Sequence, residues 1–142
     1  MENNRQEILQ LLRRVADGTT RPEEALLQLK EEPFAELGYA KVDLHRGVRQ
    51  GAAEVIYGAG KTPEQIAGIA RTLADRGARN ILITRVDPQA AAYLADRLPL
   101  DYHELARLAV ACPGPRPARG SIVVATGGTS DMPVAEEAAL TA

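Results

Sequence analysis

Apolar residues recur at helical spacing from the start of the chain. Ile8, Leu11, Leu12 and Val15 fall three or four apart, and Asp17-Gly18 supplies a stop. Thr20 with Glu23 three residues on has the form of a capping box, opening a second short helix through Ala25, Leu26 and Leu29 that ends before Pro33. Together they predict a helical hairpin over residues 5–31. The period then changes. Between Tyr39 and His45, Ala40, Val42 and Leu44 alternate with Lys41, Asp43 and His45, the pattern of a half-buried strand. A basic turn from Arg46 to Gln50 follows, then a strand over Glu54 to Tyr57 closed by Gly58-Ala59-Gly60.

Thr62-Pro63-Glu64-Gln65 combines an N-cap threonine, a proline at the first helical position and a glutamine at the third. The stripe Ile66, Ile69, Ala70 and Leu73 continues that helix. Asn80 to Thr84 reads as a short buried strand, and Asp87-Pro88 opens another helix carrying Ala91, Leu94, Ala95 and Leu98. This β-α-β-α alternation predicts a sheet covered by helices. Residues 101–111 fit either a buried strand or a short helix by period, and the strand is the preferred reading.

Residues 112–120 hold three prolines and two glycines, which neither a helix nor an interior strand tolerates, so they read as a linker. Beyond it, Ser121 to Thr126 has the composition of a strand, Gly127 to Asp131 of a tight turn, and Met132 onward of a helix. One strand and one helix cannot bury a core. The expectation is therefore an α/β protein with a domain over 1–111, a linker over 112–120, and at 121–142 the opening of a larger α/β domain cut short at Ala142.

Composition narrows the setting. With 142 residues, 45% hydrophobic and 25% charged, the chain is long enough to bury a sizeable core and falls outside the low-hydrophobicity class of disordered chains. A net charge of −2, from 17 basic and 19 acidic residues, supplies little drive toward nucleic acid or an anionic membrane. The single cysteine, Cys112, excludes an internal disulfide framework, and no Cys/His cluster has zinc-site spacing. The first ten residues lack a secretory apolar region, so a cytoplasmic protein is expected.

The candidate chemistry is spread along the chain. In the Gly127 to Asp131 turn, the glycines let backbone approach a ligand, while Ser130 or Asp131 is placed to cap the helix; free N–H groups at such a terminus bind phosphate. A βα turn also uses glycine and a polar cap for structure alone, and that reading stays open. Glu136 and Glu137 suit the early turns of a helix. His45, Arg46, Arg49, Lys61 and Arg85 are cations beside strand ends or glycine turns, either an anion-binding set or a solvated basic surface. Gly58 to Thr62 is not a Walker A loop, because its first glycine lies at the wrong distance from Lys61. Cys112 has no sequence neighbour that would activate its thiol.

Three strings, Phe34 to Gly51 (FAELGYAKVDLHRGVRQG), Glu54 to Gln65 (EVIYGAGKTPEQ) and Gly128 to Ala138 (GTSDMPVAEEA), closely resemble the LarB family. The resemblance runs over nearly the whole chain. It implies a family-specific N-terminal α/β domain, followed from near residue 120 by the first strand, turn and helix of a PurE-like domain with a Rossmann-type parallel sheet. It further implies a pyridinium-3,5-biscarboxylic acid mononucleotide synthase of nickel-pincer cofactor biosynthesis. Such enzymes carboxylate C5 of the pyridinium ring of nicotinic acid adenine dinucleotide with carbon dioxide or bicarbonate, and hydrolyse the phosphoanhydride to release AMP.

Of the PurE-type motif, Gly128, Thr129, Ser130 and Asp131 are the positions placed toward the substrate's ribose phosphate. The family's catalytic cysteine and glutamate are expected beyond Ala142, so this chain is expected to be catalytically incomplete. No resident cofactor and no metal site are expected, and magnesium is left open as an aid to hydrolysis. PurE-like proteins are typically oligomeric, which makes a homo-oligomer the expectation for the parent protein. An aminoimidazole ribonucleotide carboxylase of the PurE type, or a non-catalytic assembly or substrate-gating module, are the alternatives.

Overall fold

The computed structural model describes residues 2–31, 34–43, 54–115 and 120–142. Helix α1 (Glu2–Ala16) and helix α2 (Pro22–Glu31) form the expected hairpin. Gly18 turns the chain with φ of 79°, and Asp17 accepts hydrogen bonds from the Thr19 backbone N–H and hydroxyl. Those bonds hold the Asp17 carboxyl below its usual range. The start of α2 differs from the Thr20/Glu23 reading by one residue. Pro22 takes the first helical position, Ala25 donates to the Arg21 carbonyl, and Glu24 reaches back to the Arg21 N–H. Proline's fixed φ and missing N–H suit that first position and set the register of the cap.

Strand β1 (Phe34–Glu36) pairs antiparallel with strand β2 (Lys41–Asp43) through a tight turn in which Leu37 donates to Ala40 and Gly38 has φ of 78°. Within the described residues the alternating stretch contributes Lys41 to Asp43 to a strand, and its partner is the preceding segment, which periodicity did not mark. The basic turn with Arg46 and Arg49, and His45 before it, lies outside the described residues.

The second sheet has the order β3-β4-β6-β5. Strand β3 (Ile56–Tyr57) runs parallel to strand β4 (Ile81–Thr84), with helix α3 (Pro63–Asp75) between them in sequence. Helix α4 (Pro88–Ala95) leads to strand β5 (Leu100–His103), which turns back through 104–107 into strand β6 (Leu108–Ala111). Both β4/β6 and β5/β6 are antiparallel, so the 101–111 stretch is a hairpin rather than a single strand. Arg107 makes the turn with φ of 49° and a hydrogen bond to the Glu104 carbonyl.

Both α3 and α4 begin as their sequences predict. The Thr62 hydroxyl accepts from the Gln65 N–H while the Gln65 side chain accepts from the Thr62 N–H, and Asp87 accepts from the Ala90 N–H at 2.7 Å. Their apolar stripes, Ile66, Ile69, Ala70 and Leu73 on α3 and Ala90, Ala91 and Leu94 on α4, close over Ile81 and Ile83 of β4 and Ala109 and Ala111 of β6. Alanine at these contacts lets helices and sheet approach closely. Val42 joins the same core from β2.

Residues 121–126 are not a strand. They pair with no described strand, and Ile122, Val123 and Val124 are exposed. Although β3 and β5 are the outer strands of their sheet, neither pairs with this segment, and β-forming composition makes a strand only where an edge takes it up. The 3-10 turn Thr129–Asp131 and helix α5 (Met132–Thr141) follow as expected, and no residue of α5 is buried.

Across the sheet's end, the half-buried Tyr102 hydroxyl donates to the Val86 carbonyl at 3.0 Å. Burial pushes this phenol above its ordinary value of 10.0, assisted by the nearby Glu104 charge. A raised folded-state value means the contribution is complete below the unfolded value and is lost as pH rises through the folded one. Tyr102→Phe should cost about 0.5–1.5 kcal/mol near neutrality, and the deficit should shrink above about pH 10. Urea midpoints of both proteins on either side of that pH provide the check; a deficit independent of pH would refute it.

Candidate functional site

Two regions hold the candidate groups, and the first is the turn at 127–131. Gly128 is extended, Asp131 donates its N–H to the Gly128 carbonyl, and every residue from Gly127 to Asp131 is exposed. The Asp131 side chain caps nothing: it makes no hydrogen bond to the first turn of α5, contrary to the capping expectation. Its φ of −90° and ψ of −11° are already helical, whereas a side-chain cap requires an extended residue. It accepts a long hydrogen bond from the Thr126 hydroxyl, at 3.5 Å. Neither glycine is required by crowding, since a Cβ at Gly127 would meet nothing and one at Gly128 only ordinary contacts. Neither has a positive φ.

The second region is the carboxyl edge of the parallel pair β3/β4, the edge at which open α/β sheets bind ligands. Gly58 ends β3 so close to β4 that a Cβ would lie 2.7 Å from the Thr84 carbonyl oxygen, and its N–H donates to that oxygen at 2.8 Å. Lys61 and Arg85 follow the two strands, but they face different neighbours. Arg85, in the left-handed region with φ of 59°, places its guanidinium 3.1 Å from the Glu137 carboxylate of α5. That Glu137 oxygen is buried and receives no well-aimed hydrogen bond, so the contact is chiefly one of charge. Arg85 is thus occupied by a carboxylate, and it tethers the 127–141 segment to the sheet.

The N-termini of α3 and α4 are also supplied with oxygens of their own. Thr62 and Asp87 take N–H groups that an anion would otherwise use. Glu64 adds a carboxylate held below its usual range by its own backbone N–H and by Thr62. These two termini are self-capped, which leaves the 127–131 turn as the more accessible backbone.

Lys61 lines a different feature, a cleft of about 330 Å³ between β2, β3 and α3 shared with Tyr39, Lys41, Glu54 and Tyr57. Sequence reasoning singled out Lys61 and missed the others. The Tyr57-Gly-Ala-Gly-Lys61 string placed two of them together, while Tyr39 and Lys41 arrive only through the β1/β2 hairpin. Arg46 and Arg49 lie outside the described residues.

Cys112 is buried at 7% exposure and left-handed at φ of 52°. Its N–H donates to the Pro99 carbonyl, its carbonyl accepts from the Asn80 N–H, and the Asn80 side chain accepts from Gly114. This lacing ties the ends of β4 and β6 and leaves the thiol little access to a substrate. Among the described residues no group of three His, Cys, Asp or Glu side chains could hold a metal ion, and no helix is long and apolar enough to cross a membrane.

Comparison with curated proteins gives no significant match. The family described as LarB/PurE-like N-terminal domain matches residues 34–112, from β1 through the last strand of the second sheet to Cys112. The match takes in both sheets and α3 and α4, more than half of the 142 residues, and so the chain belongs to the LarB/PurE-like N-terminal domain family.

Proposed function

We propose that this chain is the N-terminal portion of a pyridinium-3,5-biscarboxylic acid mononucleotide synthase, acting on nicotinic acid adenine dinucleotide with carbon dioxide or bicarbonate. The observation that carries the reading is the family match over 34–112 to a domain described as N-terminal. On this reading residues 1–111 form the N-terminal domain, 112–120 the linker and 121–142 the opening of the catalytic domain. The parent protein is a cytoplasmic homo-oligomer.

The chemistry sets demands that this chain's residues do not meet alone. A pyridinium ring is electron-poor and does not attack carbon dioxide. Addition of a thiolate beside C5 forms a carbon–sulfur bond and moves the electron pair into the ring, making C5 nucleophilic. C5 then bonds to carbon dioxide, a base takes the C5 proton, and departure of the thiolate restores the aromatic ring. Hydrolysis of the phosphoanhydride separates AMP from the mononucleotide.

Buried Cys112 is unsuited to be that thiolate, so the thiol and the base come from outside these 142 residues. The groups this chain would bring to the substrate are Gly128, Thr129, Ser130 and Asp131, toward the ribose phosphate. The exposed turn, the two glycines without a steric reason and the uncapping Asp131 all support that role. Lys61 and the basic turn at Arg46 and Arg49 are secondary anion contacts. Arg85 takes part only if the substrate's anion displaces Glu137.

Incubating the parent protein with nicotinic acid adenine dinucleotide and bicarbonate should release AMP together with a carboxylated mononucleotide, both read by mass spectrometry. The 142-residue chain should release neither above an enzyme-free control. An inactive parent protein would overturn the proposal; turnover by the short chain would overturn the placement of the thiol elsewhere.

A further inference from the structure

The cleft between β2, β3 and α3 has the make-up of a ligand site separate from the 127–131 turn. Its floor is apolar: Val42, Ile56 and Ile69 line it and are each at most 5% exposed. Two tyrosines stand at its sides, Tyr39 at 48% and Tyr57 at 58% exposure, so both offer ring surface to an incoming molecule. Tyr39 is seated rather than loose. Its hydroxyl fills the space that a Cβ on Gly68 of α3 would take, and glycine in mid-helix, otherwise unfavourable, makes that notch.

Charge completes the description. Among the described residues the cleft is lined by two basic residues, Lys41 and Lys61, and one acidic residue, Glu54, which already has a partner of its own. Among the described residues the Lys41 ammonium has an exposed pair with Glu36 at 3.5 Å, a contact weak enough to exchange for a better anion. Among the described lining residues the balance is one net positive charge.

Size decides between whole cofactors and fragments. About 330 Å³ lies at the small end of the range for small-molecule sites, enough for one ring system with one charged group and too little for a dinucleotide. Tyrosine faces take planar rings by offset stacking, and a lysine ammonium takes a carboxylate or phosphate as a point charge.

We propose that this cleft is a binding site for a small planar aromatic anion, its ring against Tyr39 and Tyr57 and its carboxylate or phosphate on Lys61 and Lys41. The proposal does not rest on the synthase reading, because it concerns binding by this domain without turnover.

The test is a titration of the 142-residue chain, followed by NMR, with nicotinate, adenosine 5′-monophosphate and the uncharged nicotinamide. At least one of the two anions should saturate with a Kd tighter than about 1 mM. Of the four tyrosines, Tyr39 and Tyr57 should carry the ring-signal shifts, and Tyr93 and Tyr102 should not. Binding of nicotinate points to an aromatic carboxylate as the natural ligand, and binding of the nucleotide to an aromatic phosphate ester. Lys61→Met and Tyr57→Leu, both at the cleft rim, should each weaken binding at least about fivefold with the melting temperature unchanged, the scale of one exposed contact. Failure of both anions to saturate, equal binding of nicotinamide, or unaltered affinity in either variant would overturn the proposal. None of these outcomes bears on whether the parent protein is a synthase.

Discussion

Ile83→Ala should lower the unfolding free energy by about 2–5 kcal/mol, the range for truncating a fully buried aliphatic side chain. Ile83 has no solvent exposure, sits in β4 between β3 and β6, and belongs to the core that α3 and α4 close. Removing its outer carbons forfeits their transfer energy and leaves a cavity that neighbours on both sides cannot readily fill. The expected signature is a lower urea midpoint with an unchanged slope, since the surface exposed on unfolding stays nearly the same. Leu9→Ala is the matched control, because Leu9 is 43% exposed on α1 and its truncation should cost much less. Equal losses in the two variants would mean that β4 is not the centre of the core.

Asp131→Asn in the parent enzyme should reduce catalytic efficiency about 10- to 150-fold, the equivalent of roughly 1.5–3 kcal/mol for a charge-assisted hydrogen bond. The reading behind it is that the carboxylate accepts hydrogen bonds from ribose hydroxyls. Asparagine and aspartate cap helices about equally well, so a cap would be little affected by this change. The geometry removes even that concern: the Asp131 side chain is exposed and caps no N–H of α5. The melting temperature should therefore stay near that of the native enzyme while efficiency falls. Near-native efficiency would sink the assignment of the turn to substrate, and a fall in melting temperature proportionate to the activity loss would mark Asp131 as structural.

The candidate site was readable only in part. The Gly127 to Asp131 turn stands out in the chain because glycine and short polar residues carry a local backbone meaning. The partner of Arg85 does not, since Glu137 lies 52 positions away on a helix of its own. Nor does the company kept by Lys61, because Tyr39 and Lys41 reach it across the β1/β2 hairpin.

What the amino-acid sequence determined by itself is what depends on neighbours three or four residues apart. The Thr62/Gln65 box, Pro63, the Asp87 cap and the stripes of α3 and α4 are settled within single turns, and they occur where the residues place them. Tertiary structure decided the strands. Residues 101–111 became a hairpin because β6 pairs with both β4 and β5. Phe34 to Glu36 became a strand because β2 offers it an edge, and Ser121 to Thr126, with the most strand-like composition in the chain, did not, because none of the described edges pairs with it. A helix satisfies its own backbone N–H and C=O groups within the segment. A strand leaves them to a partner, and which partner is present is a property of the whole fold.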